Sequence, residues 1–442
     1  MNTITKIIAG VVSAGAIAGV AIPTIYTNQV DKFINTQKNL LATKNISLIK
    51  KEDKDSFFHI HRTYLLQIDD ITTILKTIYP EITPYELKDL KEVFDKTTFE
   101  LNLDLDKFPT YHKKGAKVYL SSFNDYTQNE LQKDKVGKQI LEYIQQKAFE
   151  LDIDIDKVDI KKVYLKDMDL TIDDTNIKLN GFNILVDKTI TTTLKTFQVT
   201  NKQNYRNSLY SIENVKYEIT KQNDFNYKTK FYISDIKLES ASRSKQSIKI
   251  KDFSTSSKTN TIVNSINLKT DSKIKNISVK IDNDYINIDN FVFNTQFTKL
   301  DLTSIKKIVE ILQNNSNREE LKNPIQTLIS NGFGFKISPI SIEKIDIKVQ
   351  NNSFNISPIS LQLNSTLTKN NFQFDTDPST LINSLSADLM LKTTKDNIDL
   401  LTKLNPMVAI YLNNIMKIDN NEVTISLTYK NGSLTSNGQK LF

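Results

Sequence analysis

The sequence predicts an α+β, β-rich protein: an N-terminal transmembrane helix followed by an elongated, mainly antiparallel β-sheet body with several packed helices. Three observations carry this. No charged residue stands between Lys6 and Asp31, and Ile7 to Tyr26 is an apolar run of 20 residues, long enough to cross a bilayer core as a helix. From Phe182 to Asn323 there is neither glycine nor proline, yet apolar and polar residues alternate there through segment after segment, the period of half-buried strands. Helical spacing is confined to short stretches before residue 182 and after residue 302.

Composition narrows the class. Of 442 residues, 39% are hydrophobic and 25% charged, which suits a folded chain with much polar surface. The net charge of +7 comes almost wholly from lysine, with arginine only at 62, 206, 243 and 318. Arginine carries most bidentate recognition of bases and phosphates. The lysines also alternate with acidic residues along the strands, so the charge reads as a solvated face and no nucleic-acid partner is expected. Cysteine is absent, which removes disulfides, thiolate nucleophiles and Cys-ligated zinc.

The apolar run has three readings: a retained anchor, a cleaved signal peptide and a buried core helix. A core helix seldom begins at the first residues of a chain, and the run continues through Val20, Ile22 and Ile25, past the small residues Ala16-Ile17-Ala18 that a peptidase would use. Retention is the favoured reading, with the bilayer as partner through residues 7–26. Lys6 on one side and Lys32, Lys38 and Lys44 on the other argue for a cytoplasmic body. A short tail, a signal-anchor and a large strand-rich domain argue for export. Gly15 and Gly19 could bring two such helices together, although such a pair more often reflects small-residue composition alone.

In chain order, Val30, Phe33, Ile34, Leu40 and Leu41 fall at helical spacing, predicting a stalk helix over residues 28–45. The pattern is strand-like over 46–68. It is helical over 69–95, with a break at Tyr79-Pro80 and a restart after Thr83-Pro84, where proline suits a first turn. Phe99, Leu101, Leu103 and Leu105 alternate with polar residues as a strand. Leu131, Val136, Ile140, Leu141, Ile144 and Phe149 make one stripe, predicting a single helix over 127–150. The phrase LDIDIDKVDI then returns to period two.

In the glycine-free region turns must be made by Asn, Asp and Ser, as at Asn223-Asp224 and Asp282-Asn283-Asp284. The apolar parity flips from Ile233 to Ile236 and from Ile288 to Phe291, predicting bulges or bends in long strands. Residues 303–330 are helical with a break at NNSN. Strands return in FGFKISPISIEKIDIKV and FNISPISLQLNSTL, and a last helix is predicted over 395–416, interrupted at Asn405-Pro406. Asn431-Gly432 signals a two-residue hairpin and Asn437-Gly438 another tight turn. The expected domains are an anchor at 1–27, a helix and strand region at 28–180, long strands at 181–300 and a C-terminal region at 301–442.

Candidate chemistry is sparse. His59 and His61 share one strand face, a spacing compatible with a metal, but no third ligand clusters with them in sequence, and His112 stands apart. Asp152, Asp154 and Asp156 resemble the start of a calcium loop. The required glycine is missing and Val163 occupies the twelfth position, so the triplet reads as the wet face of a strand. Gly332 and Gly334 precede a strand, not a helix, and no nucleotide cradle or G-x-S-x-G elbow exists. The sequence therefore offers no catalytic, cofactor-binding or metal site and implies no cofactor.

The closing phrase Leu427-Thr428-Tyr429-Lys430-Asn431-Gly432-Ser433-Leu434, ending in Asn437-Gly438, resembles the terminal strand-turn-strand of the bacterial YdgA-like family of uncharacterised envelope domains. The anchor, the segment QTLISNGFGFKISPISIEKI at 326–345 and the helix before the final hairpin stand in the expected order. The resemblance implies an inner-membrane anchor, a periplasmic body and no known catalytic residues. The expectation is thus a membrane-anchored periplasmic protein, not an enzyme, with a structural or binding role and lipid or an envelope protein as possible partner. A carrier of lipid or another apolar ligand is the alternative, and a hydrolase using scattered carboxylates the third.

Overall fold

A computed structural model describes residues 38–441 apart from 40, 55–58, 79–81, 107–113, 155–158, 204–205, 224, 243, 314–317, 351, 375–378, 408–411 and 413. The described chain is β-rich, with large antiparallel ladders and several helices. It divides into two compact units, Met1–Thr200 and Asn201–Phe442. Among the described residues no helix is long and apolar enough to cross a membrane. The run Ile7 to Tyr26, and most of the predicted stalk helix, lie outside those residues.

The N-terminal unit is two layers. Strands β1 (Ile46–Asp53), β2 (His59–Ile68), β3 (Thr98–Asp106), β4 (Lys114–Ser122), β5 (Phe149–Asp154) and β6 (Asp159–Leu165) pair antiparallel in that order. β7 (Met168–Ile172) and β8 (Thr175–Asn180) make a hairpin, and β9 (Phe182–Val186) joins β6 to β10 (Thr189–Gln203). Alternation puts Tyr64, Leu101, Val118 and Leu151 in one lateral row, all buried. Helices α1 (Thr72–Ile78), α2 (Pro84–Phe94), α3 (Asp125–Gln132) and α4 (Lys135–Gln145) cover that face, contributing Ile71, Ile74, Val93, Phe94, Phe123 and Leu131 from these helices and their flanks.

The helix boundaries have local causes. At the start of α2 the Thr83 hydroxyl accepts from the Glu86 N–H while the Glu86 carboxylate accepts from the Thr83 N–H, a reciprocal cap, and Pro84 occupies the first turn. The single helix expected over 127–150 is instead two. Asp134 breaks it by accepting from the Gly137 N–H at 2.6 Å as the cap of α4. Phe149, the last residue of the predicted stripe, belongs to β5.

The C-terminal unit is built on five long strands: β11 (Arg206–Asn223), β12 (Asn226–Ala241), β13 (Lys245–Ile262), β14 (Ser265–Ile281) and β15 (Asp284–Asp301). They pair in sequence order. Along β15 the neighbour changes, from β17 (Lys344–Val349) beside Tyr285–Asp289 to β16 (Phe333–Ile342) beside Val292–Thr298. β17 pairs with β18 (Asn352–Ile356), and β16 with β19 (Ile359–Leu367). Then follow β20 (Leu385–Thr394) and β22 (Glu422–Lys430), the latter flanked by β21 (Met416–Asp419) and β23 (Ser433–Ser436). The last strand is β24 (Gln439–Lys440). The helices are α5 (Leu302–Gln313), α6 (Lys322–Asn331), α7 (Ser379–Ser384) and α8 (Lys395–Leu404). α8 ends at Leu404, before the Asn405-Pro406 step, where the sequence placed an interruption.

The expected bends are real and lie on one line. Ladder pairing is skipped between Glu213 and Lys216 of β11, at Ser234 of β12, Asp252 of β13, Lys275 of β14 and Asn290 of β15. Alternate strands carry a left-handed residue there: Asn214 (φ 51), Asp252 (φ 50) and Asn290 (φ 50). Asn and Asp tolerate that region better than other side chains. Polar contacts stitch the crease. Asn214 Nδ2 donates to Ser234 Oγ at 3.0 Å, the Tyr232 hydroxyl to Asp252 at 2.9 Å, and Asn290 to Glu343. On one side of the line the apolar residues are Ile212 and Ile236, and on the other Tyr217, Phe231 and Ile233. On a regular strand such a change of parity moves apolar side chains to the opposite face.

Candidate apolar binding site

The C-terminal unit carries an apolar groove with a cavity volume of about 470 Å³. Its floor comes from strand alternation. Phe297 of β15, Phe335 of β16 and Ser365 of β19 are direct lateral neighbours, and Phe333, Leu367 and Leu385 form the next row. The Phe297 and Phe335 ring centroids are 4.8 Å apart and tilted by 37°. Ile329 of α6 and Leu381 and Ile382 of α7 complete the lining.

Each wall is held by identifiable contacts. α6 stops at Gly332, whose φ of 73° is in the left-handed region, and its N–H donates to the Ile329 carbonyl at 3.1 Å. A Cβ on Gly332 would stand 2.3 Å from the Leu367 carbonyl oxygen, so only glycine lets the helix end directly against β19. The following strap binds α6 from outside. Ser330 Oγ donates to the Phe372 carbonyl at 2.9 Å, and Asn370 Nδ2 donates to the Ile329 carbonyl at 3.1 Å. α7 is tied through its C-terminal half. The Tyr429 hydroxyl donates to the Ile382 carbonyl at 3.3 Å, and the Thr368 N–H donates to the Ser384 carbonyl at 3.0 Å. Tyr429 lies in the strand before Asn431-Gly432, so the predicted hairpin also positions the cavity wall. Asn431 (φ 51) and Gly432 (φ 75) supply the paired positive φ of a type I′ turn.

Chemically the cavity presents hydrocarbon and aromatic edges. Among the described residues Ser365 is the one polar member of its lining, and its hydroxyl is already donated to the Phe335 carbonyl at 3.1 Å. The site offers an apolar chain a hydrocarbon surface, and its described lining residues bring no carboxylate, imidazole or ammonium to a reacting atom.

The residues singled out in the sequence lie elsewhere. His61 sits on β2 opposite Asp104 of β3, and His59 opposite Asp106. The His112 position is outside the described residues. Among the described residues no cluster of three or more His, Asp or Glu is placed to hold a metal. Asp152 stands in β5 between Lys117 of β4 and Lys162 of β6, a charge-alternating strand face. Asp156 lies outside the described residues. Gly332 and Gly334 serve the helix-to-strand junction.

The cavity had no signal of its own in the sequence. α7 spans six residues, too few to establish a helical period, and the floor residues read as ordinary strand alternation. No protein-family model matches the chain, and no curated protein or solved structure matches it.

Proposed function

We propose that the protein is a non-catalytic binding protein of the bacterial envelope, anchored through residues 7–26, whose C-terminal unit holds an apolar chain such as a lipid acyl group. The observation that carries the reading is the cavity under α6 and α7. Its volume of about 470 Å³ falls within the usual range for small-molecule sites, and its one polar side chain is internally satisfied. A ligand gains there by leaving water, with no polar group demanding a partner. The apolar N-terminal run and the YdgA-like character of the closing hairpin support an envelope location.

Native mass spectrometry of the full chain, extracted in mild detergent, tests the reading. The wild type is expected to carry a bound species of lipid mass. Leu381→Asp and Leu367→Asp, which put a charge into the cavity, are expected to lose it while keeping the same circular dichroism. A bound species unchanged in both variants would place the lipid elsewhere, for example on the anchor, and would overturn the proposal. So would a wild-type chain free of any such species.

A further inference from the structure

A second apolar surface lies on the other side of the crease. Lateral pairing places seven isoleucines side by side on seven strands: Ile212, Ile236, Ile250, Ile277, Ile288, Ile345 and Ile356. The next row, two residues further from the crease, runs Tyr210, Leu238, Ile248, Val279, Ile286, Ile347 and Phe354 through the same pairings. Neither row contains a charge. Among the described residues the surface is partly open to solvent: the isoleucine row is half-buried, while in the outer row Tyr210 is 49% exposed, Ile248 and Ile286 40% each, and Leu238 38%.

The reverse face of these strands is polar. Lys237 lies 3.6 Å from Asp235, Lys249 2.8 Å from Glu239 and Lys344 2.8 Å from Asp346. Among the described residues this half of the sheet therefore has a wet face and a dry face, with no second layer on the dry one. Antiparallel sheets of this kind bury the dry face against another layer.

We infer that a second copy of this chain supplies that layer, the two isoleucine faces meeting across a two-fold axis. Size is the first argument. Strands about 4.8 Å apart and side chains about 7 Å apart along a strand give the two rows a footprint of roughly 34 by 14 Å. The flanking polar rows bring the total to roughly 900 Å², close to the ~800 Å² per partner of a stable interface. The outer flanking row runs Ser208, Ser240, Gln246, Ile281 and Asp284, and the row along the crease holds Asn214, Ser234, Asp252, Lys275 and Asn290, mostly polar or charged residues at the margin. An apolar centre inside a polar rim is the usual anatomy of such an interface.

Self-complementarity is the second argument. Because both rows are uniformly apolar across all seven strands, a two-fold rotation lays hydrocarbon on hydrocarbon and rim on rim, stranding no charge. An acyl chain lying along one row would be covered by the sheet on one side only, which leaves its other side in water. The inference is independent of the cavity under α6 and α7.

The wild-type chain has no cysteine, so single introduced thiols report without background. β14 is the central strand of the seven, and Ile277→Cys places a thiol near the middle of the face. Lys280→Cys, on the reverse face of the same strand, is the control. Full-length chain in bacterial membranes is treated with a short bismaleimide. Ile277→Cys is expected to give a cross-linked dimer at least tenfold above Lys280→Cys. Adding Val279→Lys to Ile277→Cys is expected to reduce that yield at least tenfold, with unchanged circular dichroism. Three results would overturn the inference. The first is equal cross-linking at both positions, as anchor-driven association would give. The second is no cross-linking at Ile277→Cys while it reacts freely with a monomaleimide. The third is protection from both reagents, as a lipid or another segment of the same chain would give.

Discussion

The two units use the same strand alternation and resolve it differently. In the N-terminal unit the apolar face of β2–β5 lies under α1–α4, and the main buried cluster runs from Leu41 to Ile153. In the C-terminal unit, strands up to 18 residues long carry equally regular apolar rows, yet the Ile212 and Tyr210 rows stay partly open to solvent. The difference teaches that strand periodicity encodes a dry face but not the layer that dries it. One unit supplies that layer with its own helices. The other leaves part of its apolar surface open to solvent among the described residues.

This contrast can be broken by mutation. Leu151, 1% exposed in the N-terminal unit, is expected to lose about 2–5 kcal/mol on substitution by alanine, since a closed core cannot fully relax around the void. Ile248→Ala on the open face, 40% exposed, is expected to cost less, about 1 kcal/mol in dilute chain, because less burial is lost. Urea unfolding of both variants checks the pair, and equal losses would erase the distinction.

A smaller effect tests local closure within the C-terminal unit. Asn397, 4% exposed, accepts from the Ser357 N–H at 3.0 Å and donates to the Ser357 carbonyl at 3.1 Å and the Thr393 hydroxyl at 2.7 Å. Asn397→Ala strands these groups and is expected to cost about 1–3 kcal/mol in the same assay. Gly432→Ala, at a φ of 75°, is expected to cost about 1 kcal/mol and to loosen α7 through Tyr429.

The smallest effect is pH-dependent and belongs to the N-terminal unit. Asp70, at the start of α1, is held at a pKa of about 2 by hydrogen bonds from Thr72 and then by Lys91. Asp69 is lowered by Ser47 and then by Lys96. A depressed carboxylate stabilises the fold above its unfolded pKa, near 3.9, and that contribution is lost as pH falls through the folded value. The Tm of the N-terminal unit is therefore expected to drop between about pH 4 and pH 2, and less so in Asp70→Asn. Both carboxylates are substantially open to water, so the change is modest.

Much of this architecture was legible in the residues. Alternation marked the long strands, Thr83-Pro84 the start of α2, Asn431-Gly432 the last hairpin, and the flip from Ile233 to Ile236 the crease. The split between α3 and α4 was not legible, because Leu131, Val136 and Ile140 keep one stripe across a break made by the Asp134 cap. The β13–β14 turn was missed as well. Val263 takes a φ of 52° there, in a region β-branched residues avoid. The cavity depends on α7 and on the lateral neighbours of Phe335, and one strand's pattern does not name its neighbours. The seven isoleucines form a row only once the register of all seven strands is fixed.

The central claim, that one unit closes its apolar face and the other leaves it open, is most directly tested by thiol reactivity in dilute native chain. Val118→Cys lies in the closed core and Ile286→Cys on the open face. With a water-soluble maleimide, Ile286→Cys is expected to react at a rate near that of a free thiol, and Val118→Cys only once the chain is unfolded. Equal protection at both positions, under dilution that separates copies, would contradict the account.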